Sequence, residues 1–221
     1  MAYGPNQRHV DIAFSSGSLL QRGKPIEFQR LEIGQLLVTS GALAASDPFV
    51  SPNPVPFTQA IPAGRYPVSL AIGRFETGGE RDERVAFAQV ELSNSPAVSW
   101  TMALTEGQDP TALEHDGYFG YGVDAGTGCF MDPAAGRLLA ERMERDDEYF
   151  NVIIDEMEKT YRHTRSWLDL RPSSEREENI ICFSSGWGDG FYPSFFGFSG
   201  DGGLCALLTD FFVLSDAENA A

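Results

Sequence analysis

Two segments rich in glycine and aspartate hold the residues of this chain that are best suited to chemistry. Residues 122–132 read GVDAGTGCFMD, and residues 184–193 read SSGWGDGFYP. The amides of glycine-rich turns bind anions, and aspartates bind divalent cations or transfer protons. The two segments therefore suggest a phosphate site, a metal site or an acid–base pair, and each of these requires a fold that brings the residues together.

The first segment has the pattern of a phosphate-binding turn, in which an apolar residue precedes Asp-x-Gly-Thr-Gly. Sugar kinases and actin use such a turn, but their folds need two large domains and the motif normally opens the chain. Here it lies past the midpoint of 221 residues, and Ala125 replaces the threonine of the aspartic-protease motif. We therefore expect a tight turn at Asp124, Ala125 and Gly126, in which the carboxylate bonds its own backbone.

The second segment places glycine at 186, 188 and 190, which is neither the G-x-G-x-x-G pattern nor an EF-hand loop. Aromatic residues are dense here, and Trp187 and Tyr192 are the candidates for binding. Aromatic density in a strand usually indicates a core, whereas two or three rings facing outward would form a binding patch. Both interpretations remain open.

Five aspartates could meet at one end of a sheet: Asp124, Asp132, Asp189, Asp201 and Asp210. Such a cluster could bind a divalent cation or act in acid–base catalysis. The same residues are equally expected at turns and at a helix cap. The metal site therefore stays open, and no cofactor is predicted.

Cysteine and histidine give little support for catalysis. Cys182 and Cys205 lie in apolar runs and are predicted to be buried, whereas Cys129 follows a glycine-rich turn and is predicted to be more accessible. The sequence contains no CxxC pair, so a common zinc site is not expected. No Ser/His/Asp arrangement can be recognised, and whether the chain is an enzyme stays open.

The charge is strongly acidic and uneven. Asp and Glu number 32 against 16 Lys and Arg, which gives a formal net charge of −16 and argues against nucleic-acid binding. Residues 179–221 contain five acidic and no basic side chains, so this segment provides solubility or faces a basic protein partner. No signal peptide and no apolar run of about 18 residues is recognised, which predicts a cytoplasmic protein that does not bind membranes.

The element pattern predicts an α+β fold, a twisted, mostly antiparallel β-sheet or sandwich with a helical insertion before its last three strands. Residues 1–221 are expected to form a single domain. Asp132 and Pro133 begin the insertion, residues 132–178, whose second helix has an apolar stripe from Tyr149 to Tyr161. Four prolines within nine residues predict that residues 43–60 are a connector.

Strands are predicted from alternating or continuous apolar residues, and the N-terminal part is expected to contain only strands and turns. A glycine-containing polar loop predicts a hairpin between the strands at residues 66–75 and 84–92. Residues 200–203 predict another hairpin, between the strands at residues 191–198 and 204–214. The predicted strands are residues 31–39, 66–75, 84–92, 98–104, 179–184, 191–198 and 204–214.

The order of several motifs resembles a bacterial family known as domain of unknown function 4241. The residues that carry the resemblance are GRYPV at 64–68, RVA at 84–86, GVDAGTG at 122–128 with Asp132, SGWGDGFYP at 185–193, Gly197, Gly203 and Asp210-Phe211. The resemblance spans residues 64–211, and its most specific part is the segment around Trp187. The segment 198–200 departs from it, because an Asp is expected nearer Gly197. The resemblance implies no established activity; there is also a loose likeness to small acidic antitoxin or immunity proteins.

Three functions are consistent with these residues. The first is a protein-binding or immunity-type inhibitor that acts through the acidic and aromatic C-terminal third, where Asp189 and Asp201 lie. The second is a metal-assisted hydrolase with Asp124 and Asp189 as ligands or as acid and base. The third is a small-molecule binding module with a pocket lined by Trp187 and Tyr192. We expect the first, because the charge is −16 and no cofactor motif is present.

Overall fold

The computed structural model describes residues 2–214 and confirms the mostly antiparallel α+β fold. The α-helices in this part of the chain are α1 (Gln7–Phe14), α2 (Pro133–Arg145) and α3 (Tyr149–Glu158). The strands are β1 (Ser18–Gln21), β2 (Lys24–Val38), β3 (Ala44–Ser46), β4 (Gly64–Thr77), β5 (Glu80–Glu91), β6 (Ser99–Met102), β7 (Tyr121–Val123), β8 (Thr127–Met131), β9 (Trp167–Leu170), β10 (Ile180–Ser184), β11 (Gly190–Tyr192), β12 (Ser194–Phe198) and β13 (Leu204–Asp210).

Seven strands form a large curled sheet in the order β1-β2-β4-β5-β13-β12-β6, and all neighbours are antiparallel. The first predicted hairpin is β4–β5, which turns through Gly78 and Gly79, both at positive φ. This is the backbone that a two-residue hairpin turn needs. The second predicted hairpin is β12–β13, so both hairpin predictions are confirmed.

A smaller sheet, β3-β8-β10-β9, lies between the large sheet and two helices. Its central strands are buried on both faces, which explains why their sequences are continuously apolar. On one face Phe130, Ile181 and Phe183 join the core of the large sheet. On the other face Met131 and Cys182 join a second core that includes side chains of α2 and α3.

Helix α2 begins at the predicted residues. One oxygen of Asp132 accepts a hydrogen bond from Ala134 N at 2.7 Å, and Pro133 occupies the first turn. The other oxygen accepts hydrogen bonds from Thr39 N and Ser40 N, each at 2.7 Å. Asp132 therefore both caps the helix and joins it to the end of β2.

Helix α3 packs only part of the predicted apolar stripe. Tyr149, Ile153 and Met157 are buried against the small sheet, whereas Phe150 and Ile154 are exposed. The apolar stripe of α3 is wider than its buried face, because only every fourth residue of the helix points at the small sheet. Within residues 2–214, no helix has the length and hydropathy needed to cross a membrane.

The N-terminal prediction is wrong at α1, where the sequence predicts strands and turns. The Asn6 side chain caps this helix by accepting a hydrogen bond from His9 N. Val10 and Ala13 are buried against β2 and β4. A helix of eight residues has little stability of its own, so this packing stabilises it.

The single strand predicted at residues 191–198 is also wrong, because Pro193 divides it. Strand β11 pairs with β7, whereas β12 lies in the large sheet. Proline has no N–H to donate to a strand ladder, and the chain changes sheets at this residue. Five strands instead of three follow the helices, because β11 and β12 replace one predicted strand and β9 lies inside the region predicted as a helical insertion. Strand β3 likewise lies inside the predicted connector.

Candidate functional site

The two glycine–aspartate segments lie side by side in the folded chain. Gly126 N donates a hydrogen bond to Asp189 Oδ1 at 3.1 Å, and Ser185 N donates to Gly126 O at 3.0 Å. Strands β7 and β11 pair next to these turns, with Phe191 opposite Gly122. Asp124 and Asp189 therefore lie in adjacent turns, both exposed.

A third aspartate, Asp47, holds the first of these turns. Its side chain is fully buried, and its Oδ2 accepts hydrogen bonds from Asp124 N at 3.0 Å and Ala125 N at 2.8 Å. Its Oδ1 accepts a hydrogen bond from Phe49 N at 2.9 Å. The turn is present as predicted, but the carboxylate that accepts from its amides is that of Asp47 instead of Asp124.

The second turn is fixed by its own hydrogen bonds and by close packing. Gly188 O accepts hydrogen bonds from Ser185 Oγ at 2.8 Å and from Tyr192 Oη at 2.9 Å. Gly186 has φ +34°, and a Cβ there would lie 2.7 Å from the Cβ of Phe211. Only glycine fits this position without a shift of the backbone. The turn therefore presents its flanking aromatic side chains on a rigid frame.

Two aromatic side chains of this segment are exposed, and they face different surroundings. Trp187 is 53% exposed, with the Arg84 guanidinium 5.0 Å from its ring centroid and the Phe75 ring at 5.5 Å. Phe191 is 49% exposed and stacks on Tyr118 with centroids 6.0 Å apart. Trp187 is thus next to a cation, whereas Phe191 belongs to an aromatic group on another part of the surface.

Asp210 lies inside this aromatic group and is buried. Tyr3 Oη donates a hydrogen bond to Asp210 Oδ2 at 2.7 Å, and Phe212 N donates to Oδ1 at 2.8 Å. Burial raises the pKa of Tyr118, and the charge of Asp210 raises it further. Burial also raises the pKa of Tyr192. Tyr118 is the member of this group whose ring stacks on Phe191.

The other predicted site residues lie in structural positions. Asp201 is in the β12–β13 turn, where it accepts hydrogen bonds from Ser199 Oγ at 2.5 Å and Gly203 N at 3.3 Å. Asp132 is the helix cap described above. Across residues 2–214, no group of three or more His, Cys, Asp or Glu side chains is placed to hold a metal ion.

Four exposed carboxylates belong to the segments that adjoin Phe191. Glu114 and Asp116 precede Tyr118 and are exposed, and Asp124 and Asp189 lie in the two adjoining turns. The sequence from residue 85 to residue 136 contains no Lys and no Arg. We call this region the acidic–aromatic surface; it consists of Glu114, Asp116, Tyr118, Asp124, Asp189 and Phe191.

Cys129 is not accessible, contrary to the prediction. It is fully buried in β8, and burial raises the pKa of its thiol to about 12, although hydrogen bonds to Ser46 oppose this. A thiol that stays protonated is neither a nucleophile nor a metal ligand. Cys182 and Cys205 are also buried, as predicted.

Sequence reasoning missed three residues that shape this region. Asp47 lies 77 residues before Asp124, in the proline-rich segment, and nothing local marks it as the partner of the turn. Tyr118 follows a glycine in a polar loop, and Arg84 lies on a strand. The absence of basic residues between 85 and 136 was the available signal for the acidic surface.

Comparison with known proteins gives a family but no activity. A search of curated proteins found no match, and a search of solved structures found none either. The model of the family described as "Protein of unknown function (DUF4241)" matches residues 36–209, which include both glycine–aspartate turns and most of the two sheets. The matched region begins before residues 64–211, the range of the resemblance noted from the motifs, and ends two residues before that range does. The chain therefore belongs to the DUF4241 family of proteins of unknown function.

Proposed function

We propose that this protein binds a basic protein partner through the acidic–aromatic surface. The observation that carries the proposal is Phe191, a large apolar ring that is half exposed and whose adjoining segments carry four exposed carboxylates. Aromatic residues dominate the binding energy of many interfaces, and surrounding charges set the orientation and the choice of partner.

The position of Phe191 favours binding because its side chain loses little conformational entropy on association. The ring stacks on Tyr118, and the backbone is paired with β7 opposite Gly122. Tyr118 Oη also donates a hydrogen bond to Phe191 O at 3.2 Å. A side chain held in its bound conformation loses less entropy on association than a mobile one.

The charge of the chain favours a basic partner. The net charge is −16, and the surface around Phe191 draws on a stretch of 52 residues, 85–136, without Lys or Arg. Such a field attracts a cationic protein over distances of about 8 Å at physiological salt and repels acidic ones. An inhibitor of a basic enzyme is one function of this kind, since a rigid acidic surface can cover a cationic active site.

The alternative functions have less support. A metal-assisted hydrolase needs a set of metal ligands, and no such set is present among residues 2–214. Asp201 accepts a hydrogen bond from Ser199 in its own turn, and Asp210 accepts one from Tyr3. In the predicted small-molecule pocket, Tyr192 is buried and donates to Gly188 O, whereas Trp187 contacts Phe75 and Arg84. These two aromatic residues do not share a pocket of the predicted kind.

The proposal is tested by capturing partners on the immobilised protein and measuring the affinity of each purified partner by calorimetry. We expect a basic partner whose dissociation constant rises at least about tenfold with Phe191→Ala, a loss of about 1.4 kcal/mol. The matched control is Val152→Ala, which removes an exposed apolar side chain on α3. Equal affinity in Phe191→Ala and in the control would contradict the proposal.

A charge test separates this surface from the general acidity of the chain. Asp116→Lys with Asp124→Lys changes the net charge by +4, and so does Asp147→Lys with Asp155→Lys on the helical side. All four aspartates are exposed. We expect the first pair of changes to abolish binding and the second to weaken it only slightly.

A further inference from the structure

Basic side chains cluster at one end of the large sheet, although the chain carries −16. Arg22 and Lys24 flank the β1–β2 turn, and Arg74 and Arg81 lie on the adjoining ends of β4 and β5. We call this region the cationic end. A cluster of basic side chains in a chain with a large negative net charge indicates a binding role at that place, because an acidic protein does not need basic residues to stay soluble.

The centre of the cationic end is a single buried carboxylate, Glu83, which is 1% exposed. Its Oε1 lies 3.2 Å from Arg74 Nε and 3.0 Å from Arg81 Nη2, and its Oε2 lies 3.0 Å from Arg165 Nε. His163 Nε2 lies 3.7 Å from Oε1. One negative charge is therefore shared among three guanidinium groups.

Three buried polar atoms of this cluster lack a hydrogen-bond partner among the described residues, namely the donors Arg74 Nε and Arg165 Nη1 and the acceptor Glu83 Oε1. Arg165 has only 5% of its side chain exposed, and its Nη1 has no hydrogen-bond partner among the described residues. Arg74 Nε is also buried, and its contact with Glu83 lacks hydrogen-bond geometry. Buried donors without acceptors are costly. Arg74 lines the cleft described next, so a bound anion is one way to satisfy its donors.

A cleft opens where β2 and β4 separate. The two strands pair only as far as Glu27 and Arg74, although β2 starts at Lys24 and β4 continues to Thr77. A cleft of about 670 Å³ at this point is lined by Lys24, Pro25, Arg74 and Arg81. It is within the size range of small-molecule sites.

A second cleft adjoins the first and is more apolar. Its volume is about 280 Å³, and Ile26, Phe75, Trp187 and Val213 line it. The two clefts share Lys24, Phe75, Glu76 and Gly78, so one ligand can reach both. The exposed ring of Trp187 therefore forms part of the apolar side of a cationic cleft.

We propose that this cleft binds a small organic anion, with its phosphate or carboxylate group at Lys24, Arg74 and Arg81 and its flat apolar part against Phe75 and Trp187. Arginine binds planar or tetrahedral anions through several N–H groups at once, and an aromatic wall favours a ring.

The charge balance of the lining supports an anion. Arg22, Lys24, Arg74 and Arg81 line the clefts with two acidic residues, Glu27 and Glu76. The Glu83–Arg165 and Asp82–Arg84 pairs are each neutral, with closest contacts of 3.0 and 3.1 Å. Glu80, the first residue of β5, also lies at this end, so one positive charge remains without a matching carboxylate. The site is separate from the acidic–aromatic surface, so the two proposals stand or fall independently.

The test is calorimetric titration of the full chain with phenyl phosphate, benzoate, inorganic phosphate and phenol at constant ionic strength. We expect saturable binding of phenyl phosphate or benzoate, and the stronger of the two identifies the anionic group. Inorganic phosphate, which lacks the ring, and phenol, which lacks the charge, should each bind at least tenfold more weakly.

Variants locate the site. Arg81 is half exposed, so Arg81→Ala should fold and should weaken binding at least tenfold. Arg65→Ala is the matched control, because Arg65 is an exposed arginine paired with Glu177 at 2.8 Å and is not part of the cleft. The ligand should also quench tryptophan fluorescence, and Trp187→Phe should remove most of that change.

Three outcomes would overturn the proposal. The first is no saturable binding of either aromatic anion up to about 10 mM, a concentration that saturates a site with a dissociation constant near 1 mM. The second is equal binding to Arg81→Ala and to the unaltered chain. The third is phenol binding as strongly as phenyl phosphate, which would show that charge plays no part.

Discussion

Glu83 shows how a single buried residue can determine the acid stability of the chain. Burial raises its pKa, but the hydrogen bond from Arg165 and the charges of Arg165, Arg74 and His163 outweigh that effect. The pKa of Glu83 therefore lies below its ordinary value in the folded state. A lowered pKa means that the ionised side chain stabilises the fold relative to the unfolded chain.

We predict that Glu83→Gln lowers the free energy of unfolding at pH 7 by about 3–5 kcal/mol, because three guanidinium groups lose their shared carboxylate. The contribution of Glu83 is complete above its ordinary pKa of 4.5 and is lost as the pH falls through the lower folded-state value. The difference between the two proteins should therefore narrow as the pH falls below 4.5. Urea unfolding at several pH values measures it.

Glu91→Gln is the control for this prediction. Glu91 pairs with Arg30 at 2.7 Å, but both side chains are partly exposed. Pairs of this kind contribute about 1 kcal/mol or less. A loss at Glu91 as large as that at Glu83, or a Glu83 effect that is the same at low and neutral pH, would show that burial of the cluster is not the cause.

At the scale of elements, the β7–β8 turn depends on Asp47 from a distant loop. We predict that Asp47→Ala lowers the free energy of unfolding by about 3 kcal/mol or more, since three backbone N–H groups lose a charged acceptor. Asp124→Asn, in the same turn but exposed, should change it by less than about 0.5 kcal/mol. Thermal unfolding of both variants measures the effect, and equal losses would contradict this account of the turn.

Elements defined by local signals could be predicted from the sequence, and those defined by tertiary contacts could not. The β4–β5 hairpin follows from alternating residues and two glycines, and the start of α2 from Asp132 and Pro133. Helix α1 is stabilised by packing of Val10 and Ala13, which no local pattern reports. The division of residues 191–198 depends on which sheet each half joins, although Pro193 marks the place.

The candidate site shows the same limit. The glycine–aspartate segments are visible in the sequence, but their contact through Gly126 and Asp189 is not, because 63 residues separate them. The exposure of Trp187 and Phe191 could not be distinguished from burial, since aromatic strands usually form a core. The sequence likewise could not show that Trp187 lies next to Arg84 while Phe191 lies next to Tyr118.

At the scale of the whole molecule, the fold separates two surfaces of opposite charge. The acidic–aromatic surface surrounds Phe191, and the cationic end surrounds Glu83 and extends to Trp187. The segment between these two aromatic residues is rigid because its turn is fixed by Ser185, Gly186 and Tyr192. Although the net charge is −16, a basic protein partner would be attracted to the acidic–aromatic surface and a small anion to the cationic end.

The most direct test of partner binding is hydrogen exchange on the complex with a captured basic protein. We predict slower exchange at residues 114–124 and 186–192 when the partner is bound, and unchanged exchange in α3. Because the bound surface excludes water, protection should concentrate around Phe191 and fall off toward the rim. Protection that is confined to α3 or to the cationic end, with none around Phe191, would contradict the proposed function.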